Sequence, residues 1–280
     1  VAVSVDESCV ARCAIKQDHV DPGIATDLAA ILLEDDDWYA LVTIFSSEAV
    51  INAAAAWVET AEKFYFAASL DSAIATTTDG GTDVASDNDG SNYTRTFVAY
   101  HPEAAYNHFD AAWLGMRLSL DPGTENWAFA QPAGIRAVSL TPTHRTNIVA
   151  KSANSIEAGP GRDVTFYGTS GSGDYADFIR FKDFLKARVG EAVFDLLTQP
   201  EKVAFTDEGI NRVKAAILAV LRANVLSGAL AADPKPTVTA PRAADVSSTD
   251  RAHRNLPDIE FTCTYAGAVN HVEITGRISV

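Results

Sequence analysis

Three short apolar runs in the first hundred residues, separated by a stretch of helical composition and a polar stretch, constrain the fold more than any other feature. The runs are residues 39–45 (YALVTIF), 63–69 (KFYFAAS) and 95–101 (RTFVAYH). Between the first two lies the alanine-rich segment SSEAVINAAAAWVETAE, in which Ser46 or Ser47 is a suitable N-cap for a helix. Short apolar strands that alternate with helices form sheets whose faces those helices cover. The sequence therefore predicts an α/β (α+β) fold with a mixed sheet flanked by helices.

Two segments in the second half of the chain have strong helical periodicity. Apolar residues recur every three or four positions in residues 174–197 and again in residues 206–228, which predicts two amphipathic helices. Thr206 is a suitable N-cap for the second helix, and Gly228 marks its end. A further helix is predicted from about residue 102 to residue 120.

Polar segments separate these elements. Residues 76–94 are rich in Gly, Asp, Asn and Ser and are predicted to form a polar loop, while residues 159–177 predict a hairpin or an exposed loop. Residues 231–257 contain four prolines and many small polar residues, which predict an extended linker. The predicted parts are residues 1–23, an N-terminal strand or arm; residues 24–235, the α/β body, with an acidic subregion at 24–100 and a helix-rich part at 101–235; and residues 236–280, the linker and the C-terminal strands.

The end of the chain, residues 269–280, alternates between apolar and polar positions. This pattern predicts a strand with one exposed face, roughly 40 Å long at about 3.3 Å per residue. The preceding residues 258–267 also alternate, and residues 266–268 form either a hairpin bend or a corner between the two runs. No chain remains to cover the outer edge of the last strand, and an open edge is a liability unless a partner occupies it. We therefore expect extended N- and C-terminal strands that are available for pairing between subunits. The candidate residues of these strands are Val1, Val3, Val5, Val272, Ile274, Ile278 and Val280.

The net charge of −15 is unevenly distributed. Residues 1–100 hold 17 acidic and 4 basic residues, whereas residues 101–280 hold 20 and 18. A nucleic-acid-binding protein should carry a basic face, and none is visible. The acidic part is either a solvated face that keeps the protein soluble, or a surface that meets a basic partner or repels other copies. No apolar run approaches the ~20 residues of a membrane span, and the first residues lack the pattern of a signal peptide.

Residue patterns for catalysis or metal binding are weak throughout. The three cysteines, Cys9, Cys13 and Cys263, are too few and too unevenly spaced for a disulfide framework, and a zinc site using Cys9, Cys13 and His19 lacks a second ligand pair.

His101 and His108 lie near Glu103 and Asp110 at a predicted helix start, where capping or surface roles compete with a zinc site or an acid–base pair. Residues 87–90 (DNDG) resemble a fragment of a calcium loop but lack its ligand spacing, so a solvated loop is the alternative. We predict no catalytic residue, no cofactor and no metal.

Three stretches of the chain, considered in order, resemble contractile-tail sheath proteins of myophages, and more narrowly a sheath-like branch long known only as a domain of unknown function. The stretches are residues 96–129, 202–230 and 248–280. The residues that carry the resemblance are Tyr100-His101, Asp110-Ala111-Ala112-Trp113, Pro122-Gly123 with Trp127, Phe205-Thr206-Asp207-Glu208-Gly209, Asp250-Arg251 with Arg254, and the ending AGAVNHVEITGRISV. The resemblance covers roughly residues 93–280 and is weaker over the acidic first third.

The resemblance implies a structural, non-enzymatic role. Sheath subunits form hexameric rings that stack around a tail tube, exchange strands with their neighbours and contract by collective rearrangement without using a nucleotide. It implies copies of the same chain as partners, together with a tail tube protein and baseplate and tail terminator proteins, but neither nucleic acid nor membrane insertion. It also implies assembly in the bacterial host cytoplasm and a place in the virion. The alternatives are another tail tube, baseplate or contractile secretion-system component, and an α/β enzyme with an unrecognised site.

Overall fold

A computed structural model describes residues 23–78, 80–199 and 201–275, together with the backbone of two short strands at residues 2–3 and 11–12. The chain divides into two compact units. The first unit comprises Val1–Asp121, Glu125–Ile179 and Asn270–Val280, and the second unit comprises Pro122–Thr124 and Arg180–Val269. The architecture is mixed α/β, as predicted.

A five-stranded mixed sheet forms the centre of the first unit, in the order β2-β1-β3-β4-β5. Strands β3, β4 and β5 are parallel, and β1 is antiparallel to both of its neighbours. The strands are β1 (Ala2–Val3), β2 (Ala11–Arg12), β3 (Ala40–Val42), β4 (Phe64–Ser69) and β5 (Thr96–Tyr100). All residues of β3, β4 and β5 are buried, which confirms the three apolar runs as strands.

Helices cover both faces of this sheet. They are α1 (Ile24–Glu34), α2 (Glu48–Ala61), α3 (Ala73–Thr76), α4 (Val84–Gly90), α5 (Ala104–Asn107), α6 (Phe109–Leu118) and α7 (Pro142–Ala150). A hairpin of β6 (Ser155–Gly159) and β7 (Arg162–Phe166) follows; it begins before the predicted hairpin or loop at residues 159–177 and overlaps only the first part of it. Because side chains alternate along a strand, Tyr65 packs in one core with residues of α2 and α4, while Phe64 and Phe66 pack in a second core with residues of α6. The sheet is therefore enclosed between two hydrophobic cores.

An aromatic cluster fills the second of these cores. The Phe66 and Phe97 rings stack with centroids 4.5 Å apart, and Trp113 meets Phe66 edge-on at 5.3 Å. The Trp113 indole Nε1–H donates to the carbonyl oxygen of Trp127 at 3.0 Å. Trp113 and Trp127, two residues that carry the resemblance, are thus fully buried packing residues.

The prediction of an unbroken polar loop at residues 76–94 is wrong, because α4 lies within it. Asp83 caps this helix by accepting hydrogen bonds from the backbone N–H groups of Ala85 and Ser86, both at 3.1 Å. The residues that resemble a calcium-loop fragment belong to α4, and Asn88 among them is buried. The single helix predicted from residue 102 to residue 120 is also wrong: His108, at φ 45°, separates α5 from α6.

Two long helices dominate the second unit, in agreement with the periodicity. They are α8 (Ala176–Leu197), most of which belongs to this unit, and α9 (Asp207–Leu226). Their apolar faces meet in a core that contains Phe181, Leu185 and Ile217. Thr206 is the N-cap of α9, as predicted, and its hydroxyl accepts a hydrogen bond from the backbone N–H of Gly209 at 3.3 Å.

Two glycines of the resembling motifs have a steric explanation in the second unit. A Cβ atom at Gly209 would lie 1.9 Å from the carbonyl oxygen of Ala204, which no side chain tolerates. Gly123 has φ +86°, and a Cβ there would lie 2.6 Å from the Ala229 Cβ. Close packing therefore requires glycine at both of these positions.

The predicted linker at residues 231–257 is more ordered than expected. It contains β8 (Thr237–Thr239), which pairs antiparallel with β9 (Glu260–Thr262), and the short helix α10 (Ser248–Ala252). Between β8 and α10, the backbone N–H of Ala243 donates to the Asp207 carboxylate at 2.7 Å. Composition indicated a flexible linker, but pairing with a strand about twenty residues further on decides the structure.

Candidate assembly surfaces

The C-terminal segment, residues 269–275, is assigned to neither helix nor strand in a single copy. Val272 is 66% exposed and Ile274 is 88% exposed, although both are apolar. Near its start, the Asn126 side-chain N–H donates to the side-chain oxygen of Asn270 at 2.7 Å. The predicted inter-subunit residues Ile278 and Val280 lie outside the described residues. Pairing of this segment with another copy stays a prediction.

Of the three N-terminal candidate residues for pairing between subunits, the structure describes one. Val1 and Val5 lie outside the described residues, whereas Val3 belongs to β1. The backbone of Val3 aligns with Ala40 of β3 on one side and with Ala11 of β2 on the other. Val3 therefore has strand partners within its own copy, and its role between copies stays a prediction.

The β8–β9 ribbon presents a strand edge in the second unit. Beyond the register of β8 with β9, the backbone N–H of Ala231 donates to the carbonyl oxygen of Thr264 at 2.8 Å, and that of Ala266 donates to the carbonyl oxygen of Ala229 at 2.9 Å. Residues 260–266 are therefore paired along one side. Within the described part of the chain, the sheet that contains β9 has β8 as its other strand. Among the described residues, no further strand pairs with the edge of β9 that faces away from β8.

Packing on the core holds this ribbon in place. Ile259, Cys263 and Tyr265 pack against the core of the second unit, and the Tyr265 ring stacks on Phe181 with centroids 5.1 Å apart. Burial raises the pKa of the Cys263 thiol, which favours its protonated form. All three residues of β9 are exposed, including Phe261. The ribbon thus combines an anchored face with an accessible edge.

His101 and Asp110, which the sequence offers as candidates for a zinc site or an acid–base pair, make local structural hydrogen bonds. His101 is buried; its Nδ1 accepts a hydrogen bond from the backbone N–H of Glu103, and its Nε2 donates to the carbonyl oxygen of Arg136, both at 3.0 Å. Asp110 instead accepts hydrogen bonds from backbone N–H groups, including that of Ala68 in β4 at 3.3 Å, and burial raises its pKa. Among the described residues, no group of three or more His, Cys, Asp or Glu could hold a metal ion.

A buried ion pair that sequence reasoning missed lies among α3, α4 and α7. The Lys151 ammonium and the Asp83 carboxylate are 2.6 Å apart, and both side chains are fully buried. Lys151 Nζ also donates to the carbonyl oxygen of Ala73 and to the Thr77 hydroxyl, each at 2.9 Å. Burial alone would raise the pKa of Asp83, but the hydrogen bonds from Lys151 and Ser86 outweigh it and hold that pKa below its usual value. These contacts use all three ammonium protons, so every hydrogen-bond donor of the buried Lys151 amine has a partner.

Comparison with known proteins finds matches by structure but none by sequence. No family model matches the sequence, and no curated protein matches it. A chain in the six-fold symmetrised structure of the anti-feeding prophage baseplate superposes with a TM-score of 0.64 at 17% identity, covering 91% of this chain and 73% of that one.

A chain of an extracellular contractile injection system, the PVC sheath complex in its contracted state, gives a TM-score of 0.63 at 15% identity, covering 91% of this chain and 75% of that one. The protein shares its fold with components of contractile machines. In the described residues, no helix is long and apolar enough to cross a membrane.

Proposed function

We propose that this protein is the structural subunit of a contractile sheath, of the kind that surrounds a bacteriophage tail tube. Copies assemble into stacked hexameric rings, and neighbouring copies are joined by strand exchange. The observation that carries the proposal is the open edge of β9, present in the same chain as an exposed, alternating C-terminal segment. The fold shared with a contracted sheath complex supports the same role.

Strand addition explains the exposed C-terminal segment physically. Val272 and Ile274 are apolar yet exposed in a single copy, and burying each against a neighbour contributes about 1.5–3 kcal/mol. Each main-chain hydrogen bond of the added strand contributes about 0.5–1.5 kcal/mol, and ordering the segment offsets part of this gain. A single link is therefore weak. The same link repeated in every subunit produces a continuous lattice.

The β8–β9 ribbon is the proposed receiver of that strand. Its anchored face keeps the open edge in one orientation, so an incoming strand needs to order only itself. Pairing along an exposed edge uses main-chain groups for affinity and alternate side chains for specificity. Contraction then consists of subunit rearrangement about strands that stay paired, which requires neither a catalytic site nor a nucleotide.

The proposed partners are other copies of the chain, a tail tube protein and the baseplate and tail terminator proteins at the two ends of a sheath. The proposed location is the virion tail, after assembly in the host cytoplasm. A second candidate is a baseplate component, which the likeness to a chain of the anti-feeding prophage baseplate favours. Strand exchange and self-association would then be limited to a small number of copies.

Negative-stain electron microscopy of the full-length protein, expressed with and without the tube protein of its own operon, tests the proposal. A sheath subunit should give rings or long tubes and should enclose the tube protein. A baseplate component should instead form a closed complex with a few distinct proteins. A full-length chain that remains monomeric at high concentration, with or without the tube protein, would rule out both.

A further inference from the structure

An apolar groove of about 420 Å³ opens beside the C-terminal end of α9 in the second unit. Val225, Leu226, Ala232 and Pro236 supply its apolar wall. Leu226 is 89% exposed. The groove is also lined by Arg222 and Lys235, which are both exposed. The site therefore suits a segment in which an aliphatic side chain is flanked by carboxylates.

The C-terminal end of α1, in the first unit, has that composition. Leu33 is 89% exposed and is followed directly by Glu34 and the three aspartates at residues 35–37. Lys63 pairs with one of these four carboxylates, that of Asp36, at 2.7 Å. Among the described large apolar residues, Leu33 and Leu226 have the largest exposed fractions.

The regions that contain Leu33 and the groove also differ in net charge. Residues 23–179 contain 21 acidic and 7 basic residues, whereas residues 180–269 contain 11 acidic and 12 basic residues. Two acidic regions facing each other would repel; an acidic region facing a balanced one avoids this repulsion, and a local pair of basic residues attracts it. We propose that Leu33 and the acidic end of α1 in one copy dock into the Arg222–Lys235 groove of a second copy.

This contact rests on the proposed assembly function and adds a second type of link to it. The contact is heterologous, because the two surfaces differ, and a heterologous contact repeats from copy to copy to give rings or helical stacks. It also differs from strand addition in its response to salt. Exposed charges are screened within roughly 8–10 Å at physiological ionic strength, so salt weakens the groove contact more than a hydrogen-bonded strand ladder.

Cross-linking between copies tests the contact directly. In a full-length background with Cys9, Cys13 and Cys263 changed to Ser, Leu33→Cys is mixed with Leu226→Cys under mild oxidation, and disulfide-linked dimer is quantified by non-reducing electrophoresis. The matched control is Leu33→Cys mixed with Leu197→Cys, which places the second thiol at another exposed leucine at a helix end. The Leu226 pair should give about tenfold more dimer than the control, because the docked state brings only the thiols at positions 33 and 226 together. Equal yields from the two mixtures would overturn the proposal.

Charge reversal separates this contact from the sheath proposal. Arg222→Glu with Lys235→Glu should raise the concentration needed for assembly by about tenfold or more, because like charges then face each other. Adding Glu34→Lys and Asp37→Lys to the same chain should restore assembly. If the variant with only Arg222→Glu and Lys235→Glu assembles like the wild type, the groove inference fails and the sheath proposal stands. If wild-type protein never assembles while the Leu226 cross-link forms, the groove contact stands and the sheath proposal fails.

Discussion

The two units of this protein differ in how completely their strands are buried. In the first unit, every residue of the three parallel strands is buried, and helices cover both faces of the sheet. In the second unit, a helical pair supports a two-stranded ribbon whose outer strand is exposed throughout. A sheet covered by helices on both faces supplies stability, whereas an exposed strand edge supplies a place for a partner. We therefore expect mutations in the first unit to affect folding and mutations at the ribbon or the C-terminal segment to affect assembly.

The largest effect is expected in the aromatic core of the first unit. Trp113→Ala removes a fully buried indole that contacts Phe66 and donates to Trp127, and it should lower the free energy of unfolding by about 3–5 kcal/mol. Chemical denaturation monitored by circular dichroism measures the change. Tyr106→Ala, at an exposed site in the same unit, is the control and should change stability by less than about 0.5 kcal/mol. Similar losses for both variants would contradict the contrast between closed core and surface.

A somewhat smaller effect is expected from the buried ion pair. Lys151→Met leaves the Asp83 carboxylate buried without its cation and should cost about 3 kcal/mol at neutral pH. In the wild type, the pKa of Asp83 is lowered, so its contribution to stability is complete above the unfolded-state value of about 3.9 and is lost as the pH falls through the folded-state value.

In the Lys151→Met variant, the pKa of Asp83 should shift in the opposite direction. Without Lys151, burial raises the pKa of Asp83 above its unfolded value, so the folded state binds the extra proton and the variant should lose less stability than the wild type as the pH falls. Urea unfolding across the acidic range measures both curves. Lys151→Met combined with Asp83→Asn serves as the control, because it removes the titrating group. Parallel pH curves for wild type and Lys151→Met would show that the pair does not act in this way.

The smallest effect on folding, with the sharpest effect on assembly, is expected at Ile274. Ile274→Pro removes a main-chain donor from a segment that belongs to no helix or strand in the described part of one copy, so the unfolding free energy should change little. Rings or tubes should nevertheless fail to form if this segment completes a neighbour's sheet. Ile274→Val keeps the donor and the strand preference and should assemble normally. Normal tubes from the proline variant would remove the C-terminal segment from the mechanism.

Several elements were predictable because their signals are local. The strand β4 is marked by a continuous apolar run, and α9 is marked by Thr206 at its start and a period of three to four residues. The helix α4 was missed because Asp83 and its polar neighbours resemble a loop by composition. What makes Asp83 a buried cap is Lys151, which lies 68 residues away in the sequence.

Local signals in the sequence were enough to predict the fold class, the three buried strands and the two long helices. These follow from periodicity and capping within a window of a few residues. The contact of Lys151 with Asp83 and the pairing of β8 with β9 became known only from the three-dimensional structure. The reason is physical: burial of a charge and the pairing of a strand depend on groups distant in sequence, which composition along the chain does not specify.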